Sequence, residues 1–285
     1  EIRGRGAQAA DQVPDSRSPA PDPRPPAPGL EVREAHRACG GVVAVDEVSI
    51  QVRPGTIVGL IGANGAGKST LLNLISGVEP LERGCVRLNG EDLTALSAAE
   101  RARRGIVRTF QVPRLIDALS VVENITLGRE AAERPAWKRS PAAERGAAAE
   151  ARRALAGVGL APLADRPARS LGTGERKYVE LVRAIFSDAR LLLFDEPAVG
   201  LSLDELEELR RRLNAMRRAG TAILVIDHNI DFIRSLADYV YVMDSGRVVR
   251  EGAVGEVALT GSASRPAASE PAAAERAFQT GPGQA

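Results

Sequence analysis

Short apolar runs recur along the chain, and glycine, proline, asparagine or aspartate bounds most of them. Residues 56–61, 191–194 and 222–226 are almost wholly apolar, with no alternation between apolar and polar positions. Unbroken runs of this length are typical of strands that are buried on both faces of a parallel sheet. The pattern therefore predicts a mostly parallel sheet in the core.

Other strand signals lie beside tight-turn sequences. Residues 42–52 carry two strand signals around an acidic pair, and residues 85–88 precede an Asn-Gly turn. Residues 239–251 are predicted to form a hairpin, because Asp-Ser-Gly separates two runs with strand character. These pieces predict β structure outside the parallel sheet as well.

The pattern changes between residues 112 and 190, where alanine, arginine and leucine recur at helical spacing. The clearest stretches are residues 140–157 and 175–186, and another helix is predicted over residues 203–218. We therefore predict an α/β fold in which a helical segment is inserted between strand-rich pieces.

The two ends of the chain differ from this middle part. Residues 1–30 are crowded with prolines, and residues 258–285 are rich in Ala, Pro, Ser and Gly. Such segments cannot bury enough apolar surface to offset their ordering entropy, so both are predicted to be disordered. The expected domain covers residues 31–257, with a helical subdomain at about 112–186. The arm is interpreted either as a flexible tail or, because the first residue is Glu1 and not Met, as a tether to a longer polypeptide.

Residues 62–70 fit the phosphate-binding pattern G-x-x-x-x-G-K-[ST] at every fixed position, between a predicted strand and a predicted helix. Glycines let the backbone approach an anion, and N–H groups at the helix N-terminus attract phosphate. Lys68 is expected to reach the β- and γ-phosphates of a nucleotide, and Ser69 to ligate Mg²⁺. The predicted nucleotide-binding residues are Gly62, Ala63, Asn64, Gly65, Ala66, Gly67, Lys68, Ser69 and Thr70.

Polar residues end or follow three of the predicted strands. Asp195 and Glu196 follow one buried run, His228 comes after another, and Gln111 ends a strand predicted over residues 106–111. Open α/β sheets bind ligands at the carboxyl edge, so these side chains are expected near the phosphate loop. Asp195 is predicted to hold Mg²⁺, and Glu196 to act as general base on the attacking water. Gln111 is expected to orient that water or bind Mg²⁺, and His228 to contact the γ-phosphate.

Composition narrows the choice of partners. The 38 Lys and Arg residues face 37 Asp and Glu residues, so the net charge is +1 and does not predict binding to nucleic acid or to an acidic membrane. No apolar stretch is long enough to cross a bilayer. Cys39 and Cys85 have neither metal-site spacing nor a disulfide pattern, which favours a reducing cytosol.

The order of these motifs resembles the ATP-binding subunits of ABC transporters over roughly residues 31–257. Residues 108–115 and 119–125, with Gly-Gly-Val-Val-Ala-Val-Asp at 40–46, look like the branched-chain amino-acid (or urea) importer branch. The resemblance implies a P-loop NTPase fold with an antiparallel β subdomain beside the parallel core. It also implies an ATPase that binds ATP and Mg²⁺ and powers an importer, for branched-chain or related amino acids.

The resemblance implies partners as well. Two ATPase subunits, identical or different, would form a head-to-tail dimer in which each ATP lies between one phosphate loop and the other subunit's signature loop. Gln111 and its neighbours would face transmembrane permease subunits, or a permease domain fused to this chain. The expected location is the cytoplasmic face of the cell membrane, with no nucleic acid among the partners.

The signature loop departs from the family pattern Leu-Ser-x-Gly-Gln. The matching residues here are Leu171, Gly172, Thr173, Gly174 and Glu175. Gly172 lacks the hydroxyl that would bond to the γ-phosphate across the dimer, a loss of about 1.5–3 kcal/mol in the closed state. Ser170 lies out of register by one position, so only a shifted loop would use it.

A second departure is Cys39, which stands where an aromatic residue of the family stacks on adenine. Stacking of a base on an aromatic side chain contributes roughly 1–3 kcal/mol. We therefore expect weaker affinity for ATP and weaker discrimination against GTP.

Two alternative functions stay open. ABC ATPases that transport nothing, such as ribosome-bound or DNA-repair ATPases, usually carry two cassettes and basic surfaces, unlike this chain. A regulatory nucleotide-binding partner that hydrolyses ATP poorly within a heterodimer is favoured by Gly172 and Cys39.

Overall fold

The computed structural model of the protein describes residues 29–130 and 141–257. The predictions for most of the proline-rich arm and for the C-terminal tail concern residues 1–28 and 258–285, which lie outside the described residues. In chain order the strands are β1 (Leu30–Cys39), β2 (Val42–Val52), β3 (Ile57–Gly62), β4 (Arg83–Leu88), β5 (Glu91–Asp92), β6 (Ile106–Arg108), β7 (Leu191–Asp195), β8 (Ala222–Ile226), β9 (Tyr239–Asp244) and β10 (Arg247–Ala253). The helices are α1 (Lys68–Ser76), α2 (Ala98–Arg103), α3 (Val121–Glu130), α4 (Pro141–Ala156), α5 (Thr173–Phe186), α6 (Leu203–Arg218) and α7 (Ile230–Leu236).

A six-stranded sheet forms the centre of the fold, in the order β10-β9-β3-β8-β7-β6. Neighbouring strands from β9 to β6 pair in parallel, and the edge strand β10 pairs antiparallel with β9. The predicted mostly parallel sheet is confirmed, and so is the predicted hairpin, which is β9–β10. The apolar runs at residues 191–194 and 222–226 are the strands β7 and β8.

The unbroken apolar runs are explained by burial on both faces of this sheet. Leu191 and Leu193 pack into a cluster with α1, whereas Leu192 and Phe194 pack into a cluster with α5, α6 and α7. Because successive side chains of a strand point to opposite faces, a strand covered on both sides needs apolar residues at every position.

The second sheet is antiparallel, in the order β2-β1-β4-β5. The two strand signals at residues 42–52 belong to one strand, β2, in which Glu47 adopts φ of 52° without ending the strand. β1 begins at Leu30, one residue before the expected domain start.

The prediction of a strand through Gln111 was wrong, because β6 ends at Arg108. Thr109 still bonds to β7 through its backbone N–H, which donates to the Leu193 carbonyl at 3.0 Å. The side-chain oxygen of Thr109 accepts a hydrogen bond from the Asp195 N–H at 3.3 Å. If the strand continued, a backbone carbonyl would accept this hydrogen bond instead. The chain therefore leaves the sheet, and Gln111 lies in the loop that follows.

The described residues between β6 and β7 form α3, α4 and α5, together with two short 3-10 turns and one isolated bridge. The predicted helices at 140–157 and 175–186 are thus confirmed as α4 and α5. α5 packs Val179 and Val182 into a cluster of this helical segment and Tyr178 and Leu181 against the central sheet. One helix thereby joins the inserted segment to the core.

A buried arginine holds the C-terminal end of α1. Arg101 is 1% exposed and donates to the carbonyl oxygens of Leu74 and Ile75 at 2.6 and 2.9 Å. It also donates to the carbonyls of Thr94 and Leu96. The last carbonyls of a helix have no partner within the helix, and a cation there also complements the helix dipole. Arg101 therefore stabilises the helix whose other end carries the phosphate loop.

We predict that Arg101→Met lowers the free energy of unfolding by about 3 kcal/mol, because the buried carbonyls lose their donor. Urea denaturation followed by circular dichroism measures this loss. The control is Arg103→Met. It removes an exposed arginine of α2, the helix that also carries Arg101, and should change the free energy of unfolding by no more than about 0.5 kcal/mol. Equal urea midpoints for the two variants would contradict the role assigned to Arg101.

Candidate active site

A cleft of about 600 Å³ opens at the carboxyl edge of the central sheet. It is bounded by the phosphate loop and by the segments that follow β6, β7 and β8. The residues that line it are Ala44, Asn64, Gly65, Gly67, Lys68, Ser69, Thr70, Gln111, Glu196 and His228. The structure thus brings the predicted phosphate loop together with three of the four predicted strand-end residues.

The phosphate loop runs between β3 and α1 and lies directly against neighbouring backbone. Gly67 caps α1 with φ of 94°, and a Cβ atom there would lie 2.1 Å from the carbonyl oxygen of Ala44. At Gly62 a Cβ atom would lie 2.2 Å from the carbonyl oxygen of Met243. Both positions therefore require glycine, because any side chain would push the loop off the strands beneath it.

Lys68 lies along this loop. Its Nζ donates to the carbonyl oxygens of Gly62 and Ala63, both at 2.8 Å. Burial lowers the pKa of Lys68, and the carboxylates of Glu196 and Asp195 act in the opposite direction. The ammonium group is therefore held at the cleft beside the residues expected to handle phosphate.

Asp195 ends β7 in a buried ion pair. Arg108 Nη2 donates to Asp195 Oδ2 at 3.1 Å, and both side chains are 7% exposed. Arg108 also donates to Asn73 and Ser76 on α1. Burial raises the pKa of Asp195, whereas Arg108 acts to lower it. The arginine therefore fixes the carboxylate between β6 and the helix that follows the phosphate loop.

Glu196, Gln111 and His228 converge at the cleft. Gln111 Nε2 donates to Glu196 Oε2 at 3.2 Å, and His228 Nδ1 lies 3.8 Å from Glu196 Oε1. Glu196 has φ of 50°, in the left-handed region that glutamate rarely adopts. A strained backbone conformation of this kind is typical of functional sites.

Two cations that contact the site were not predicted from the sequence. Arg108 holds Asp195, and Lys177 Nζ donates to the carbonyl oxygen of Glu196 at 2.6 Å. A charged residue inside an otherwise apolar strand signal could have pointed to Arg108. Lys177 is one of only three lysines in the chain, but nothing in its surroundings along the sequence indicates the contact.

The signature loop lies elsewhere, and none of its residues is among those that line the cleft within the described part of the chain. Gly172, Thr173 and Gly174 are exposed at the N-terminus of α5. The Gly172 N–H donates to Glu175 Oε2 at 2.8 Å, which caps the helix. Ser170 Oγ donates to the Pro167 carbonyl at 2.8 Å, within its own 3-10 turn. Its hydroxyl proton is therefore directed into that turn.

The residues present fit a Mg²⁺ ion shared with substrate phosphates. Ser69, Asp195 and Gln111 offer hydroxyl, carboxylate and amide oxygens, which are the hard ligands that Mg²⁺ prefers. Within residues 29–130 and 141–257, no group of three or more His, Cys, Asp or Glu side chains could hold a metal ion.

A sequence profile of the ABC transporter family matches residues 45–199, which is more than half of the chain. The chain belongs to the ABC transporter family. It is the ATP-binding domain of such a transporter and an ATPase, as the motif order indicated. In the described residues of this ATPase, none of the helices is long and apolar enough to span a membrane.

Relatives of this ABC ATPase serve different solutes. The high-affinity branched-chain amino acid transport ATP-binding protein BraF of Pseudomonas aeruginosa is 33% identical over 236 residues, covering 79% of this chain and 91% of BraF. The probable branched-chain amino acid transport ATP-binding protein LivG of Archaeoglobus fulgidus is 33% identical, covering 78% of this chain and 88% of LivG. An arabinose import ATP-binding protein of Burkholderia thailandensis is 38% identical over 86% of this chain, which spans only 46% of that relative.

Solved structures confirm the predicted P-loop NTPase fold of the ABC ATPase. A nucleotide-free ATP-binding cassette from an ABC transporter is 31% identical, with a TM-score of 0.69, covering 80% of this chain and 92% of that one. A dimeric cassette bound to ADP and phosphate is 23% identical, with a TM-score of 0.71, covering 79% of this chain and 98% of that one. The second likeness extends to the fold alone.

We predict that Arg108→Met lowers the free energy of unfolding at about pH 7 by roughly 3–5 kcal/mol, because it leaves Asp195 buried without its cation. The loss should be smaller at about pH 5. Without Arg108 the pKa of Asp195 rises further above its unfolded value, so the folded state takes up a proton more readily as the pH falls.

Urea titrations at the two pH values test this prediction. Arg104→Met is the control, since it removes an arginine that pairs with the exposed Glu91 and should cost less than about 1 kcal/mol. A loss for Arg108→Met that is the same at both pH values would mean that the unpaired charge of Asp195 is not its cause.

Proposed function

We propose that the protein is the ATP-hydrolysing subunit of an ABC importer for branched-chain or related amino acids. The observation that supports the catalytic part is that the phosphate loop, Glu196, Gln111 and His228 line one and the same cleft. Phosphoryl transfer to water requires a general base, polar groups near that base and a cation at the phosphates. Glu196, the side chains of Gln111 and His228, and Lys68 on the phosphate loop can supply these parts.

Each residue then has a defined role. Lys68 and the backbone N–H groups of the loop stabilise negative charge on the β- and γ-phosphates. Glu196 polarises the attacking water as general base, Gln111 orients that water, and His228 contacts the γ-phosphate and helps to place Glu196. A Mg²⁺ ion held by Ser69, Asp195 and Gln111 would neutralise charge on the phosphate oxygens.

The choice of solute class rests on the relatives. This chain spans 91% of BraF and 88% of the Archaeoglobus LivG, but only 44–46% of the arabinose, ribose and xylose import proteins. Identity to the sugar proteins is slightly higher, at 36–38%. The branched-chain amino-acid relatives BraF and LivG, together with the sequence of residues 108–115, favour amino acids.

The proposal includes two partners. A second ATPase subunit, identical or different, would place its signature loop over the nucleotide of this chain. A permease, separate or fused, would dock beside Gln111, where Val112 and Ile116 are 75% and 50% exposed. Apolar side chains exposed next to a catalytic loop suit a contact that reports nucleotide state to a membrane partner. The protein would then lie at the cytoplasmic face of the membrane.

Gly172 favours a second candidate, a regulatory partner that binds ATP but hydrolyses it poorly. Ser170 donates its hydroxyl proton to the Pro167 carbonyl, so it does not readily replace the missing serine. Cys39 is exposed at the end of β1 and offers no aromatic ring for the base. Such a subunit would depend on a more complete ATPase in a heterodimer.

We predict that the purified chain hydrolyses ATP and that Glu196→Gln lowers kcat by about 10²–10⁴-fold, because the general base is lost. Steady-state phosphate release measures the rate, and light scattering with Mg-ATP measures dimerisation. The variant should still dimerise with ATP, because it keeps the phosphate loop.

Binding of ATP by the parent with neither turnover nor a dimer would contradict the homodimeric ATPase and support the regulatory candidate. Turnover that survives in Glu196→Gln would mean that another group is the base.

A second prediction concerns the solute. In cells of the source organism, replacing this chain by Glu196→Gln should reduce uptake of radiolabelled leucine to the level of a deletion, because transport is driven by hydrolysis. Uptake of arabinose serves as the internal control and should not change. Loss of arabinose uptake with normal leucine uptake would reject the amino-acid assignment.

A further inference from the structure

Lys177 contacts the backbone of Glu196 from a different element. It lies in the second turn of α5, and its Nζ donates to the Glu196 carbonyl oxygen at 2.6 Å. Charged hydrogen bonds of this length are among the stronger contacts in proteins. The contact is made to the residue proposed as general base and not to the substrate side of the cleft.

The backbone of Glu196 needs such a restraint. Its φ of 50° is uncommon for a residue with a side chain, and conformations of this kind persist only where the surroundings over-determine them. The Glu196 N–H donates to the Ile226 carbonyl at 2.8 Å, which fixes one side of the residue. On the other side the Glu196 carbonyl oxygen accepts a long hydrogen bond from the Val199 N–H at 3.4 Å and the much shorter one from Lys177 at 2.6 Å, so Lys177 is the stronger restraint there.

The half-buried ammonium group of Lys177 has acidic neighbours. Burial lowers the pKa of Lys177, and the carboxylates of Asp227, Glu196 and Glu180 act in the opposite direction. Asp227 is fully buried and accepts the Ala198 N–H at 3.0 Å, just beyond Glu196. An ammonium group among these acids is thus held close to the loop that follows β7.

The helix that carries Lys177 begins at the signature loop. Gly172 is the N-cap of α5, and Lys177 lies only five residues later. A movement of the signature loop that displaces α5 therefore also displaces the donor on the Glu196 carbonyl. No comparable contact is available to Arg176, which instead donates to the Ala168 carbonyl and pairs with Asp117.

We propose that Lys177 is a positioning residue for hydrolysis, which holds the backbone of Glu196 in its left-handed conformation and sets the direction of its carboxylate from the signature helix. This inference rests on the proposed role of Glu196 as general base. Lys177 acts on the chemical step and leaves nucleotide binding unchanged.

The test compares Lys177→Gln with Lys177→Arg in the full chain. Phosphate release gives kcat and KM, and titration with a fluorescent ATP analogue gives nucleotide affinity. Lys177→Gln should lower kcat by about 10–100-fold, because a displacement of a catalytic group by about 1 Å has an effect of this size. Its nucleotide affinity should match that of the parent, and Lys177→Arg, which keeps a charged donor, should recover most of the lost rate.

Arg176→Gln is the matched control, because it removes the neighbouring cation of the same helix without touching Glu196. It should retain the parental kcat. Urea titration of every variant separates a loss of positioning from a loss of folding, and Lys177→Met provides a second variant of similar length.

The possible results separate the two claims. A parent chain without turnover overturns the proposed ATPase itself. A parent that turns over while Lys177→Gln keeps the parental kcat overturns only the role of Lys177. That role is also overturned if affinity falls as much as kcat, if Arg176→Gln loses as much rate, or if neither Lys177→Gln nor Lys177→Met folds.

Discussion

The parallel registration of β3, β8 and β7 is the constraint on which the site depends. Leu60 lies opposite Ile226, and Ile226 lies opposite Asp195, so the three strands reach the same edge of the sheet. Strands that run in one direction release the chain at one edge, and each strand there continues into a functional segment. The glycine loop, the acidic pair and His228 meet because of this alignment, although they are far apart in the sequence.

The site is an acidic edge that cations from three elements organise. Lys68 comes from α1, Arg108 from β6 and Lys177 from α5, and each contacts a carbonyl or carboxylate oxygen of the edge. Buried charges are unfavourable unless they are paired, so the pairs that form also restrict where the carboxylates can point. The positions of Asp195 and Glu196 therefore depend on the cations of neighbouring elements as much as on the strand that carries the two residues.

The parts of the protein that could be predicted from sequence are those with a local signal. The phosphate loop is contiguous, and β7 and β8 are apolar at every position because helices cover both faces of the sheet. The charge of Arg108 within an apolar strand signal could have marked that residue, but the partners of Arg108 and Lys177 could not be predicted, since only the folded arrangement of strands and helices brings them near. The prediction for the end of β6 was wrong for a similar reason. The side chain of Thr109, and not a backbone carbonyl, accepts the next hydrogen bond from β7.

The close approach of Gly67 to Ala44 has a mechanical consequence. At this point the backbone of the phosphate loop lies directly against the backbone of β2. The turn between β9 and β10 extends the contact, because the Gly246 N–H donates to the Ala66 carbonyl and the Gly246 carbonyl accepts a hydrogen bond from the Asp46 N–H. A contact between side chains can rearrange when a side chain changes its rotamer, but a contact between two backbone segments cannot rearrange in that way. The antiparallel sheet and the phosphate loop are therefore expected to move as one unit. Any rotation between parts of this ATPase must hinge at a place other than this backbone contact.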